Sequence, residues 1–178
     1  MKEKEKFLKV YIDSNLIFDF AKINNIKQEE TEALEKLSDN SEIKFCTSEK
    51  TKREIDKHRN LKKKGYLKFV YSWISKISEK NIIESIPATF GSVTFGSTTF
   101  GGGISSEDPL FTNLKQIFNK DDAEHIFQAE KNNIDYFLTL DEKTILKKIQ
   151  ENKNQFEKLH MKVRIVSPSQ LVKKLESN

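Results

Sequence analysis

The chain has 178 residues, 36% hydrophobic and 33% charged, which favours one domain (1–178) with a well-buried core. No apolar run approaches the ~20 residues that span a bilayer, and the charged start MKEKEK leads into no signal-peptide core. A single cysteine, Cys46, excludes an internal disulfide framework and cannot alone make a thiolate metal site, so the expectation is an intracellular (cytoplasmic) protein with no membrane partner.

Leu8–Ile12 reads as a buried strand ending at Asp13, and Asn15–Asn24 as a helix. Gln28–Asp39 is a second helix, carrying Ala33, Leu34 and Leu37, and Ile43–Cys46 a second strand. Ser48 is placed to cap the helix that follows. In that helix Ile55 is the only aliphatic residue between Ser48 and Asn60, which predicts an element polar all round that projects into solvent or borders a wet cleft. Leu61–Ile77 carries Tyr66, Val70, Trp73, Ile74 and Ile77 at helical spacing, a stripe predicted to pack on a sheet. Asn81–Ile86 is a third strand. Residues 89–103 read TFGSV, TFGST, TFGGG and hold five of the six glycines, with no charge from Ala88 to Ser106. A period of five fits neither helix nor strand, so 88–106 is expected to be a flexible insertion. Its Phe90, Phe95 and Phe100 are candidates for base stacking or simply a sticky loop. A helix over Glu107–Phe118 leads to Asp121, a candidate cap with Glu124 three residues on. Ala123, Ile126, Phe127 and Ala129 give the next helix its core face. Ile134–Leu140 is a fourth strand, Asp141 to about Lys153 a Lys-rich helix, and Val163–Val166 a fifth strand. Ser167-Pro168 opens a final helix, proline suiting its first turn. Strands separated by helices predict a three-layer α/β fold, with a mostly parallel sheet of about five strands and helices on both faces.

In such a sheet ligands bind beyond the carboxyl ends of the strands, where the chain order reverses. Asp13 and Asp141 fall at two such ends, Glu54 on the helix after the second strand, and Asp122 in the first turn of the helix feeding the fourth. Clustered acids repel unless neutralised, and a hard divalent cation, Mg²⁺ or Mn²⁺, suits oxygen ligands. Such ions activate water and stabilise charge on a phosphoryl group, which points to phosphodiester hydrolysis. Each acid taken alone has a plainer reading. Asp13 or Ser14 is a cap for the first helix, Asp141 a cap for the helix after the fourth strand, and Glu54 a surface partner of Lys50 or His58. Net charge is only +4, but Lys50 to Lys68 hold nine Lys or Arg against Glu54 and Asp56. That stretch attracts a polyanion such as RNA, or is a solvated face.

Four stretches, in this order, resemble the motifs of the PIN-domain family of metal-dependent ribonucleases. VYIDSNLIFDF resembles the first motif, with Asp13 and Asn15. TSEKTKREI resembles the second, whose acid falls on Glu54, and DAEHIFQA the third, giving Asp122, Ala123 and Ala129. DYFLTLDEK resembles the fourth, with Thr139 and Asp141 in a Thr-x-Asp pattern. The resemblance implies that Asp13, Glu54, Asp122 and Asp141 coordinate one or two divalent ions and that metal-bound water attacks the RNA phosphodiester. It also implies that Asn15 and Thr139 orient the acids or a water. The Gly/Phe repeat is not part of the family's usual core.

The leading expectation is an endoribonuclease, either a toxin with a cognate antitoxin or an RNA-processing enzyme. Lys57, Arg59, Lys62, Lys63, Lys64 and Lys68 would then hold the RNA backbone. His125, three residues after Asp122, either contacts phosphate or packs on the sheet. The alternative is a PIN-like module that binds RNA or a protein without cutting. A haloacid dehalogenase-type phosphatase fits less well, because Asp13-Ser14-Asn15-Leu16 lacks its second Asp, and a receiver domain lacks its paired acids. The composition leaves the oligomeric state open.

Overall fold

The computed structural model describes residues 7–20, 26–80, 82–86 and 104–177. Residues 88–103 of the expected insertion, with Phe90, Phe95 and Phe100, lie outside the described residues. So do residues 21–24 of the first predicted helix.

In chain order the elements are β1 (Leu8–Ile12), α1 (Ser14–Phe20), α2 (Gln28–Ser38), β2 (Ile43–Thr47), α3 (Glu49–Asp56), α4 (Leu61–Trp73) and β3 (Ser75–Lys76). A ribbon of β4 (Ile83–Ile86) and β5 (Ile104–Glu107) follows, then α5 (Pro109–Ile117), α6 (Lys120–Lys131) and β6 (Tyr136–Leu138). A π-helical turn, Glu142–Leu146, runs into α7 (Lys147–Glu151), and α8 (Lys153–Glu157), β7 (Arg164–Val166) and α9 (Pro168–Glu176) complete the chain. Five strands form one all-parallel sheet in the order β3-β2-β1-β6-β7, flanked by helices in a three-layer α/β fold. No helix among the described residues is long and apolar enough to cross a membrane.

Alternation along the central strands builds a core on each face. Tyr11, Cys46 and Phe137 point one way, into a cluster with Phe111, Leu114, Ile126 and Phe127 of α5 and α6. Val10, Ile12, Tyr136 and Leu138 point the other way and meet Leu16, Ile17, Leu34, Leu67 and Leu171 of α1, α2, α4 and α9. Asn133, in the left-handed region at φ 52°, ends α6 and turns the chain into β6, a conformation Asn accepts more readily than most residues.

Several expectations are corrected. The predicted third strand forms as β4, but pairs antiparallel with β5 outside the main sheet, so 104–106 are strand rather than loop. The sheet's β2 edge is instead occupied by β3, inside the stretch read as helix. There α4 stops at Trp73 because Ile74 turns extended (φ −87°, ψ 137°). The α4 core face is Leu67 and Tyr71 with the half-buried Val70 and Ile74, an i, i+3, i+4, i+7 set, whereas Tyr66 and Trp73 are exposed. The helix α3 is not polar all round: Thr51 and Ile55 are fully buried and Lys50 nearly so. At the start of α6 the cap is Asn119, whose side chain accepts the Asp122 N–H at 2.9 Å, rather than Asp121. The start of α5 is fixed by Asp108 with Pro109 behind it, displacing the predicted start at Glu107. Ser167 and Gln170 form a reciprocal capping box on α9, with Pro168 in the first turn as expected.

The buried Glu30 carboxylate joins α2 to α9, accepting from Ser169 N at 2.8 Å and Ser169 Oγ at 2.7 Å. Replacing Glu30 with Ala leaves the Ser169 N–H without its acceptor, while the hydroxyl keeps Ser167 Oγ at 3.1 Å, and an unfilled buried donor costs about 1–3 kcal/mol. Urea unfolding of Glu30→Ala is expected to show a loss of that order, and an unchanged midpoint would mean that water satisfies Ser169.

Candidate active site

The chain order reverses at β1, whose neighbours are β2 on one side and β6 on the other. The carboxyl ends of β1 and β6 therefore open on one cleft. Asp13 leaves β1 there, 2% exposed, and its Oδ2 accepts from Thr139 Oγ1 at 2.8 Å. Thr139 Oγ1 in turn accepts the Asp141 N–H at 3.0 Å, so one hydroxyl ties the ends of the two strands together. Asn15, in the first turn of α1, reaches Asp141 Oδ2 with its Nδ2 at 3.4 Å. Thr144 Oγ1 donates to Asp141 Oδ2 and stands 3.5 Å from Asp122 Oδ2. Asp122 Oδ2 also accepts from Asn119 Nδ2 at 2.7 Å.

The structure thus brings Asp13, Asp122, Asp141, Asn15 and Thr139 to one place. Asp141 is at the same time the cap its plainer reading gives it, with Oδ1 accepting from Lys143 N at 3.1 Å and Thr144 N at 2.7 Å. The turn it caps is π-helical, with Leu146 N on Asp141 O at 3.1 Å.

Electrostatics mark the same cluster. Burial, then the charges of Asp13 and Asp141, push Asp122 up to about 6. Burial also raises Asp13, although His125 and the Thr139 hydroxyl hold it back. Glu54 behaves differently. Burial would raise it, but the hydrogen bond and electrostatic pull of His125, with help from Ser14 and Lys50, carry it below its usual value.

His125 is 2% exposed and both ring nitrogens are engaged, Nε2 with Glu54 Oε1 at 3.1 Å and Nδ1 with Tyr11 Oη at 2.7 Å. Tyr11 Oη continues to Ser48 Oγ at 2.7 Å. A carboxylate only accepts, so Nε2 donates to Glu54, while Nδ1, Tyr11 Oη and Ser48 Oγ continue the chain of hydrogen bonds. Of the two readings of His125, the hydrogen bonds and burial match packing against the sheet, where it holds Glu54. Ser48 occupies the cap position of α3, yet its hydroxyl makes no cap bond to the helix.

Lys50, read from the sequence only as a surface partner of Glu54, is buried and has further partners on α6 that sequence reasoning missed. Although 6% exposed, it reaches Asp121 at 2.7 Å, Glu124 at 3.0 Å and Glu54 at 3.8 Å, tying α3 to the start of α6. Burial would lower its pKa, but the hydrogen bonds it donates to Asp121 and Glu124, with their charges, outweigh that and raise it. Nothing in the sequence signals this, since a lysine on a charged helix reads as solvated. Thr144 had a signal, at three residues after Asp141 in the turn that Asp141 caps.

Of the six basic residues assigned to RNA, Lys64 and Lys68 pair with Asp56 at 3.7 and 2.8 Å. Lys57 lines the cleft, and Arg59, Lys62 and Lys63 stand exposed on the adjoining surface.

A cleft of about 470 Å³ runs between α1, α3 and α6, lined by Asn15, Phe18, Glu54, Lys57, Lys120 and Asp122 among others. A second, of about 400 Å³, lies beyond Asn15 and is lined by Asp19, Lys27, Glu30, Asp141 and Lys143. For a hard divalent ion the donor set is suitable, being carboxylate oxygens supported by neutral hydroxyls and amides. Among the described residues, however, no three acidic, histidine or cysteine side chains converge closely enough to ligate one ion as they lie. Asp122 nevertheless feels Asp13 and Asp141. Charge acts over several ångströms, whereas ligation needs oxygens about 2.1 Å from one point, so Asp122 on the first cleft and Asp141 on the second sense one another without closing on one centre. Comparison of the chain with family models, with curated proteins and with solved structures finds no match in any of the three.

Because Asp122 has its folded-state pKa raised to about 6, its ionisation opposes folding. The penalty is absent below the unfolded value near 4, grows through pH 4–6 and is complete above pH 6. Solvent at this half-open site screens it to on the order of 1 kcal/mol. Asp122→Asn is therefore expected to raise the thermal midpoint of the chain at pH 7 in EDTA, with the gain vanishing by pH 4. An equal effect at both pH values would mean that Asp122 is not crowded by its neighbours.

Proposed function

We propose that this chain is a divalent-metal-dependent endoribonuclease of the PIN type. The observation that carries the reading is the convergence of Asp13, Asp122 and Asp141 at the switch point of the parallel sheet, with Thr139 and Asn15 holding two of them. A class of α/β phosphodiesterases uses acids so placed, and the four motif resemblances narrow it to the PIN family.

Asp13, Asp122 and Asp141 would hold Mg²⁺ or Mn²⁺, with Glu54 on the far wall, and the ion would supply an activated water and charge stabilisation at the phosphoryl group. The chain's own groups do the positioning. Thr139 fixes the Asp13 carboxylate, Asn15 and Thr144 fix Asp141, and His125 orients Glu54. Lys57 and the exposed Arg59, Lys62 and Lys63 draw in the RNA backbone, which sets affinity and register but no sequence preference. The enzyme would serve as a toxin restrained by an antitoxin or as an RNA-processing nuclease. A PIN-like module that grips RNA or a protein partner without cutting is the second reading. It is favoured by one observation, that no three ligand-type side chains among the described residues meet at a point as they lie.

Single-stranded RNA incubated with Mn²⁺ or Mg²⁺ is expected to be cut by the unaltered chain and left intact by Asp13→Asn or in EDTA. Asp13→Asn should fold normally, because an Asn oxygen still accepts from Thr139. If the unaltered chain neither cuts nor binds Mn²⁺ by calorimetry, the nuclease reading falls and the binding module stands. Replacing Lys62, Lys63 and Lys64 together with Ala should weaken RNA binding and lower the salt slope by about 0.7 for each phosphate no longer neutralised. An unchanged slope would place the RNA on another surface.

A further inference from the structure

We infer that Phe18 is a stacking platform for one unpaired base of a single-stranded RNA lying in the cleft beside the acids; this rests on the nuclease reading above. The other side chains around this cleft are polar or charged, among them Glu54, Lys57, Lys120 and Asp122. Phe18 supplies the one apolar side chain among the described residues lining this cleft, and so the aromatic surface that an entering base meets.

Its position suits a base. Phe18 lies three residues after Asn15 on α1, on the same side of the helix and about one 5.4 Å turn along it. Asn15 reaches Asp141, and Phe18 lines the same cleft as Asn15, Glu54 and Asp122. The ring is also held. It packs against the core cluster of α1, α2 and α4 and faces the His58 ring at 6.0 Å and 31°. His58 is itself pinned, Nδ1 accepting the Asn60 N–H at 3.2 Å. Lys57 and Lys120, on the same cleft, make no salt bridge with any described residue and are available to the flanking phosphates. At about 470 Å³ the space admits a nucleotide.

Stacking accepts any base, because every base has a π-face, but it requires the base to be out of a duplex. The platform therefore selects unpaired RNA without reading its sequence.

The test uses the Asp13→Asn chain in Mg²⁺ buffer, a short oligoribonucleotide carrying 2-aminopurine, and the added substitutions Phe18→Leu and Phe18→Tyr. Cleavage of the same oligomer by the chain with Asp13 intact is followed in parallel. We expect 2-aminopurine emission to be quenched on binding. Phe18→Leu should abolish the quenching and weaken binding roughly tenfold, while Phe18→Tyr keeps both. Duplex RNA should bind equally well with and without the Phe18→Leu substitution. Binding and cleavage that persist without quenching, or that survive Phe18→Leu unchanged, overturn the platform and leave the nuclease reading standing. Absence of any binding or cleavage overturns both. Should Phe18→Leu fail to melt cooperatively, quenching with Phe18 intact and with Phe18→Tyr decides alone.

Discussion

Everything at the candidate site depends on the parallel register of β1 against β6. Val10, Tyr11 and Ile12 stand opposite Tyr136, Phe137 and Leu138, and the Asp13 N–H closes the ladder on Leu138 O at 3.0 Å. That register sets Thr139 beside Asp13 and brings Asp141 within reach of Asn15. A slip of one residue would turn Tyr11 and Phe137 to the wrong core and carry Asp13 away from Thr139. The packing that forbids it is the stacked pair of Tyr11 and Phe137, centroids 5.1 Å apart and both fully buried.

Around this frame the protein compensates charge locally. Asp13 and Asp122 are both raised first by burial, Asp122 also by Asp13 and Asp141 and Asp13 also by Glu54, so their ionised forms are held at a cost. One turn outward the balance reverses. Lys50 is enclosed by Asp121, Glu124 and Glu54, and Arg53 reaches Glu124 at 3.1 Å and Glu79 at 2.9 Å. These pairs clamp α3 to α6, the two helices that form the mouth of the cleft. The outer clamp is made of direct ion pairs, whereas the inner acids are held by hydroxyl and amide donors.

The buried chain from Glu54 through His125 and Tyr11 to Ser48 connects that mouth to the sheet. No buried side-chain nitrogen or oxygen among the described residues lacks a partner, so the network is fully satisfied. A satisfied network in a dry setting fixes orientation, which is why Glu54 is held against His125 where it lines the cleft with Asp122.

Much of this was legible in the sequence, for identifiable reasons. The strands at Leu8–Ile12 and Ile43–Thr47 and the helices over Gln28–Ser38 and Lys120–Lys131 carry local periodicity strong enough to specify themselves. Strand-ending Asp13 and Asp141 follow from that, since an acid just past a parallel strand lies at the ligand edge whatever surrounds it. Local pattern could not decide matters of partnership. Whether Ile83–Ile86 joined the main sheet, which side of α4 met the core, and whether Asp121 or Asn119 capped α6 each depended on groups far along the chain. The same holds for Lys50, which sequence places on a charged helix and tertiary structure buries among three acids from two elements. Sequence alone specified the elements and the residue types at their ends, because backbone propensity and side-chain period act over a few residues. Which carboxylates face one another, and which are neutralised, was settled by the tertiary fold, because charge and hydrogen bonding act through space between residues far apart in the chain, such as Asp13 and Thr139 at a separation of 126 positions.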